Sequence, residues 1–204
     1  MTGKTGLRAR KKEQTTERLH RAALDLISER GFDAASIDDI CEAADVSKTT
    51  FYRYFETKED VLLGRASENL EFLRAAFAEC PPEESLIDAA RFACGRFAER
   101  IEAERETKLL VSRISRSTPS LAARSLSHYT QWEDLLRSEA ERRAPRSTDP
   151  MLLWVQASTV AAAVRSASDF WLEHGAERPL GELIDTALAS LRDEVDAHPL
   201  ERQR

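Results

Sequence analysis

The chain has 204 residues, of which 42% are hydrophobic and 32% charged, with only seven Gly and seven Pro. That length can bury a substantial core in one large or two small domains, and the composition is that of a soluble helical protein rather than a disordered or fibrous one. A net charge of −6 excludes a protein that coats nucleic acid indiscriminately, because its mean field repels phosphates.

Residues 1 to 12 carry Lys4, Arg8, Arg10, Lys11 and Lys12 and no acid. A basic arm of this kind can reach phosphates or a minor groove, and it can equally be a solubilising terminus. A first helix is predicted from Gln14 to Arg30, with Leu19, Ala22, Ala23, Leu26 and Ile27 on one face. Gly31 is its stop signal and Phe32 the apolar contact that follows.

The next stretch predicts two short helices with a tight turn between them. In the first, Ile37, Ile40, Cys41 and Ala44 share a face, Ser36 is the N-cap and Asp39 completes a capping box. The second opens on Ser47, with Val46 and Phe51 placed as a hydrophobic staple. Phe51 and Phe55 point inward, which leaves Lys48, Thr49, Tyr52 and Arg53 outside, side chains suited to phosphates and base edges. The pattern fits a helix-turn-helix unit whose second helix enters the major groove, and it also fits an ordinary helical hairpin with a solvated face.

Thr57 and Asp60 form another capping box, so a fourth helix starts at Lys58, carries Val61, Leu62, Leu70, Leu73 and Phe77, and ends at Cys80-Pro81-Pro82. A fifth runs from about Glu83 towards Glu104, with Leu86, Ala89, Ala90, Ala93, Phe97 and Ile101 at helical spacing. A shorter sixth holds Leu109, Leu110 and Ile114. Thr118-Pro119 starts a seventh that reaches about Arg143, with Leu121, Tyr129, Trp132, Leu135 and Leu136 buried. Asp149-Pro150 starts an eighth that Gly175 ends. The ninth carries Leu180, Leu183, Ile184, Ala187, Leu188, Leu191 and Val195, and Pro199 and a charged tail close the chain. The fold class is all-α, with nine predicted helices.

Catalysis has no foothold. His20, His128, His174 and His198 are scattered, no Gly-rich phosphate loop occurs, and no Ser or Cys sits in a nucleophile motif. Cys41, Cys80 and Cys94 are far apart, which speaks against a metal site or a disulfide framework, and no cofactor motif is present. No run of about 18 apolar residues exists and the start lacks the core of a signal peptide, so no membrane partner and a cytoplasmic location are expected.

Residues 14 to 63 resemble the TetR family of transcriptional regulators. The matching runs are Arg21 to Phe32, Ser36 to Ile40, Ala43 to Ser47 and Phe51 to Leu62, in order and at the family spacing. Family members often have Gly where this chain has Asp45, and Asp is among the few other residues that tolerate a left-handed backbone, so the turn is expected to be kept. Thr49 stands where relatives often have a small residue, so base preference does not carry over. More loosely, Ser117 to Leu121, Trp132-Glu133 and Phe170 to Gly175 ahead of Pro179-Leu180 look like the C-terminal half of mycofactocin-type regulators with an acyl-CoA-like ligand-binding domain.

The resemblance implies a helix-turn-helix domain over 1–60 with its basic arm, and a ligand-binding and dimerisation domain over 61–204. It implies a repressor that binds a palindromic DNA operator as a homodimer through its eighth and ninth helices and is released by a small-molecule effector. A DNA-binding activator without an effector and a helical protein-binding adaptor are the alternatives. The eighth helix agrees with the dimer, since Leu152, Leu153, Trp154, Val155, Val160, Ala161, Ala162, Ala163 and Val164 exceed what one supporting face needs; a central position in its own subunit would also account for them.

For DNA, Lys48, Thr49 and Arg53 are expected at the groove and Tyr52 and Lys58 at phosphates, with Ser36, Ser47, Arg10, Lys11 and Lys12 as further candidates. For an effector, Phe72, Phe92, Phe97, Leu110, Trp132, Trp154 and Trp171 are candidate pocket residues, with Arg96, Arg113 or Arg165 for an anionic group. Each aromatic also fits plain core.

Overall fold

The computed structural model describes residues 3–64 and 66–197, with the side chains of 10–64 and 68–192. Among the described residues the chain forms ten helices and no strand. They are α1 (Gly3–Arg30), α2 (Ile37–Ala43), α3 (Lys48–Tyr54), α4 (Lys58–Leu63), α5 (Ala66–Glu79), α6 (Leu86–Glu102), α7 (Arg105–Ser117), α8 (Pro119–Arg143), α9 (Pro150–Glu173) and α10 (Leu180–Ala197). Pro199, His198 and the charged tail lie outside the described residues, as do the side chains of Lys4, Arg8 and Val195.

Two expectations are corrected. The basic run is no separate arm: α1 begins at Gly3 and not at Gln14, because Leu7 to Glu13 is an unbroken series of good helix formers. Arg10, Lys11 and Lys12 therefore stand exposed on a helix. The predicted fourth helix is two, which raises nine helices to ten. Gly64 has φ 78° and ψ −146°, a backbone conformation that only glycine adopts readily, and the helix stops there.

The chain divides into two units. The first takes residues 1–66 together with Arg113–Ser125; the second takes 67–112 and 126–204. Helices α7 and α8 thus each contribute to both. The first unit closes over Leu19, Ala23 and Ile27 of α1, Ile40 and Cys41 of α2, Phe51 and Phe55, Val61 and Leu62 of α4, and Leu121 of α8.

In the second unit α6 presents a row of small buried residues, Ala89, Ala90, Ala93, Cys94 and Ala98, on which α9 and α10 pack. Trp132 lies 6.1 Å from Phe77, ring to ring, and Leu135, Leu136, Trp171 and Leu188 complete that core. Burial pushes the Cys94 thiol up to about 12, so it behaves as a small apolar residue. Glu102, at the end of α6, accepts the backbone N–H groups of Leu180 at 2.5 Å and Gly181 at 3.2 Å and so caps α10.

Candidate nucleic-acid interface

The reading helix α3 has only seven residues, too few to hold its shape alone in water, so its geometry depends on what fixes its ends and its inner face. Ser47 caps it by accepting the Thr50 N–H at 3.2 Å. Phe51 is fully buried and Phe55 nearly so, 6.0 Å apart ring to ring, and Val46 packs against the same core. Burial of two phenylalanines contributes several kcal/mol, about 2–3 each, and sets which side of α3 faces out. That side carries Lys48, Thr49, Tyr52 and Arg53, all exposed, as the spacing predicts.

The turn before α3 is kept. Asp45 has φ 52°, the left-handed conformation expected for this position. A residue not anticipated from the sequence secures it: Arg18 of α1 donates to the carbonyls of Ala44 and, at 2.9 Å, Asp45, and its guanidinium lies 3.7 Å from the Asp45 carboxylate. The helix α2 ahead of the turn has the predicted capping box. Asp39 Oδ2 accepts the Ser36 N–H at 2.9 Å, and the Asp39 N–H returns to Ser36 Oγ at 3.1 Å. Hydrogen bonds from the Ser36 side chain and backbone hold the Asp39 carboxyl below its ordinary 3.8.

The other candidates divide. Ser36 and Ser47 are exposed, and both hydroxyls are engaged in capping. Lys58 gives two hydrogen bonds to the carbonyls of Phe32 at 2.5 Å and Ala35 at 2.8 Å, and its ammonium lies 4.1 Å from the Phe32 ring centroid. One ammonium proton is left for a phosphate. Arg53 donates to Tyr54 Oη at 3.2 Å, and Lys48 Nζ lies 2.6 Å from Asp38 Oδ1.

Arg124 ties α8 to α4. Arg124 Nε donates to Asp60 Oδ1 at 2.6 Å, and its Nη2 donates to Asp60 Oδ2 and to Glu56, each at 3.0 Å. Asp60 is also the predicted capping residue of α4, accepting the Thr57 N–H at 3.0 Å and the Thr57 hydroxyl at 2.9 Å. Burial pushes this carboxyl up, but the hydrogen bonds from Arg124 and Thr57 and the charge of Arg124 outweigh it and hold the group below 3.8. No local signal announces Arg124, which lies 64 positions from Asp60.

The candidate effector residues do not converge. Phe72 and Phe97 lie 6.2 Å apart, with Arg96 over both Phe72 and the exposed Phe92. Trp132 and Trp171 are core. Trp154 is 55% exposed on α9 beneath the guanidinium of Arg137, 3.7 Å from its ring centroid. Arg165 sits over Tyr129, Leu110 is half-buried, and Arg113 belongs to the first unit. The indole N–H of Trp171 is buried without a hydrogen-bond partner. Among the described residues no group of three His, Cys, Asp or Glu could hold a metal ion, and no helix is long and apolar enough to cross a membrane.

Comparison with known proteins agrees with this geometry. The profile of bacterial regulatory proteins, tetR family, matches residues 19–64, and that of the MftR C-terminal domain matches residues 84–196. The chain is 28% identical over 163 residues to the Mycobacterium tuberculosis protein named as a mycofactocin biosynthesis transcriptional regulator, MftR, covering 80% of this chain and 82% of that one. It is 29% identical over 201 residues to the HTH-type transcriptional regulator TcmR of Streptomyces glaucescens, covering 94% and 89%. Its fold is similar to that of Thermus thermophilus FadR, a TetR-family repressor solved with lauroyl-CoA, with a TM-score of 0.59 and 23% identity over 93% of this chain and 97% of that one. With a reading helix presented from a buried core and two family profiles that together span most of its length, the chain belongs to the TetR family of DNA-binding transcriptional regulators.

Proposed function

We propose that the chain is a ligand-responsive repressor that binds a palindromic operator as a homodimer and is released by a small effector, with acyl-CoA thioesters as the first class to test. The observation that carries the DNA half is the outer face of α3, where Lys48, Thr49, Tyr52 and Arg53 are exposed while Phe51 and Phe55 lock the opposite face. Lys48, Thr49 and Arg53 meet base edges, and Tyr52 and the remaining proton of Lys58 meet phosphates. Ser36 and Ser47 lie beside them, and the helical extension brings Arg10, Lys11 and Lys12 to the backbone.

The dimer half is supported by α9, whose Met151, Leu152, Trp154, Val155 and Phe170 are each 44–63% exposed, an apolar stripe of a kind that monomers seldom leave in water. Helices α9 and α10 of two copies would bury it as a four-helix bundle. The effector half is supported by the unsatisfied indole N–H of Trp171, a buried donor that a ligand carbonyl would complete, and by the lauroyl-CoA in the Thermus FadR complex.

The test is to select bound fragments from the source genome with purified protein, then titrate acyl-CoA thioesters of graded chain length against the selected duplex. The expected outcome is a two-fold symmetric site with half-sites a whole number of helical turns apart, and an effector that weakens operator binding by the same factor by which the operator weakens effector binding. An effector that binds and leaves operator affinity unchanged would refute ligand-controlled release.

A further inference from the structure

The joint between α2 and α3 is the turn from Ala44 to Ser47. Two of its N–H groups fold back onto α2, Asp45 to the Glu42 carbonyl at 3.1 Å and Val46 to the Cys41 carbonyl at 3.0 Å. Two of its carbonyls are taken by another helix: Nη2 of Arg18, on α1, donates to Ala44 O and, at 2.9 Å, to Asp45 O. Arg18 thereby stands at the C-terminal end of α2, where the helix dipole favours a cation. The Asp45 carboxylate, 3.7 Å away and fully exposed, adds little. Helix α1 is anchored at the next residue, Leu19, which is fully buried. Phe51 and Phe55 decide which side of α3 faces in, but apolar contacts have no direction and leave the helix room to tilt, whereas hydrogen bonds to two successive carbonyls fix the joint. Seven residues span about 10 Å, so a tilt of about 10° at the joint carries the far end of α3 about 2 Å, more than a hydrogen bond tolerates.

We propose that Arg18 is a positioning residue for DNA binding: its hold on the Ala44 and Asp45 carbonyls sets the angle at which α3 meets the duplex. The proposal rests on the reading that the outer face of α3 meets DNA. Arg18 touches no DNA in this role and acts through α3. Its side chain is 51% exposed, and water replaces it at the two carbonyls when it is removed, so the bundle folds without it while α3 loses its fixed angle. The contacts that suffer are those that need α3 in place to within about 0.5 Å, the base edges. Phosphate contacts on an arbitrary duplex carry no sequence register and tolerate the tilt.

The test compares the full chain with Arg18→Met, which keeps the aliphatic stem and removes the donors, on the genome-selected operator duplex and on a scrambled duplex of the same length, by fluorescence anisotropy at several salt concentrations. Operator binding is expected to weaken about 10-fold and scrambled-DNA binding less than about threefold, with the log–log salt slope on the scrambled duplex within about 0.3 of wild type. A slope smaller by about 0.9 on both duplexes would show a direct phosphate contact and overturn the positioning role. Hydrogen exchange without DNA is the second readout: in Arg18→Met the amides of residues 45–54 should exchange at least about threefold faster, and those of α6 at the wild-type rate. Unchanged exchange over 45–54, or equal losses on the two duplexes, overturns the proposal and leaves the reading of the face standing. Lys48→Gln with Arg53→Gln should weaken binding to both duplexes; without effect on either, that reading falls and the proposal with it. Added to this double variant, Arg18→Met should cost less than about threefold on the operator, since few contacts of α3 remain to be misplaced. An unfolding midpoint within about 3 °C of wild type is expected for Arg18→Met, and a larger fall would make Arg18 a residue of overall stability and overturn the proposal.

Discussion

Arg124→Met keeps the aliphatic stem of the side chain and removes the guanidinium that joins α8 to α4. Breaking a fully buried ion pair costs about 3–5 kcal/mol, because one charge stays behind without its partner. Here the Asp60 side chain is 13% exposed and that of Arg124 is 34% exposed, so water recovers part of the loss, and Thr57 still donates twice to Asp60. The expected cost is about 2 kcal/mol, which lowers the melting temperature of a chain this size by about 4–8 °C. Circular dichroism at pH 7 reads it directly. A double-mutant cycle with Asp60→Asn should return a coupling of about 1–2 kcal/mol. A midpoint shift below about 1 °C, or a coupling below about 0.5 kcal/mol, refutes the assignment of Arg124 as the bolt.

The same pair fixes the sign of a pH dependence. The native Asp60 carboxyl lies below 3.8, so its contribution to stability is complete above that value and is lost as pH falls below 3.8 through the lowered native value. In Arg124→Met the strongest of the lowering influences is gone and burial pushes the other way, so the acid-side loss of stability should be shallower than in the wild type. An equal or steeper loss would show that Arg124 does not set the state of Asp60.

Three further outcomes are expected. Gly64→Ala meets no clash, since its Cβ would lie 3.8 Å from His20 Cε1, yet it should cost about 1–3 kcal/mol in thermal unfolding because only the backbone conformation is at fault; an unchanged midpoint would contradict the break between α4 and α5. At Asp45, Gly should leave stability within about 1 kcal/mol of wild type whereas Val should lower it by about 1–2 kcal/mol, both read by urea titration, since a β-branched residue fits φ 52° poorly. If the proposed dimer forms through α9, Trp154→Glu with Val155→Glu places two charges on its apolar stripe and should raise the dissociation constant at least about 30-fold, or about 2 kcal/mol, in sedimentation velocity; an unchanged dimer would move the interface elsewhere, and a monomeric wild type would refute the proposed dimer.

Many helix ends with local signals were legible, although the Ser85 cap of α6, three positions from Asp88, was not. The caps at Ser36, Ser47 and Thr57, the stop at Gly31 and the proline starts of α8 and α9 each act within a few positions, so the sequence shows both partners at once. The inner face of α3 and the left-handed Asp45 were legible for the same reason. Gly64 was not, because the apolar spacing continues through it and an isolated glycine inside a periodic run is compatible with an unbroken helix. The start of α1 was missed because a charge-rich run was read for its charge and not for its helix propensity.

The unread part of the site follows from how far apart its partners lie. Arg18 reaches a turn 26 and 27 positions away, Lys58 reaches back 26 and 23 positions, and Arg124 reaches 64 and 68. Each is a long cation with several donors, a side chain that on its own reads as solvated surface or as a phosphate contact, and only the fold shows which carbonyl or carboxylate claims it. This matters most for the reading face. The pattern counts Lys48, Arg53 and Lys58 as three cations for DNA, whereas in the folded chain Lys58 is committed to the backbone of the bundle and Lys48 is shared with Asp38. Among the described residues, Arg53 alone of the three is without a carbonyl or carboxylate claim. A salt slope counted from the sequence would therefore overstate the ionic contribution of α3 and the start of α4.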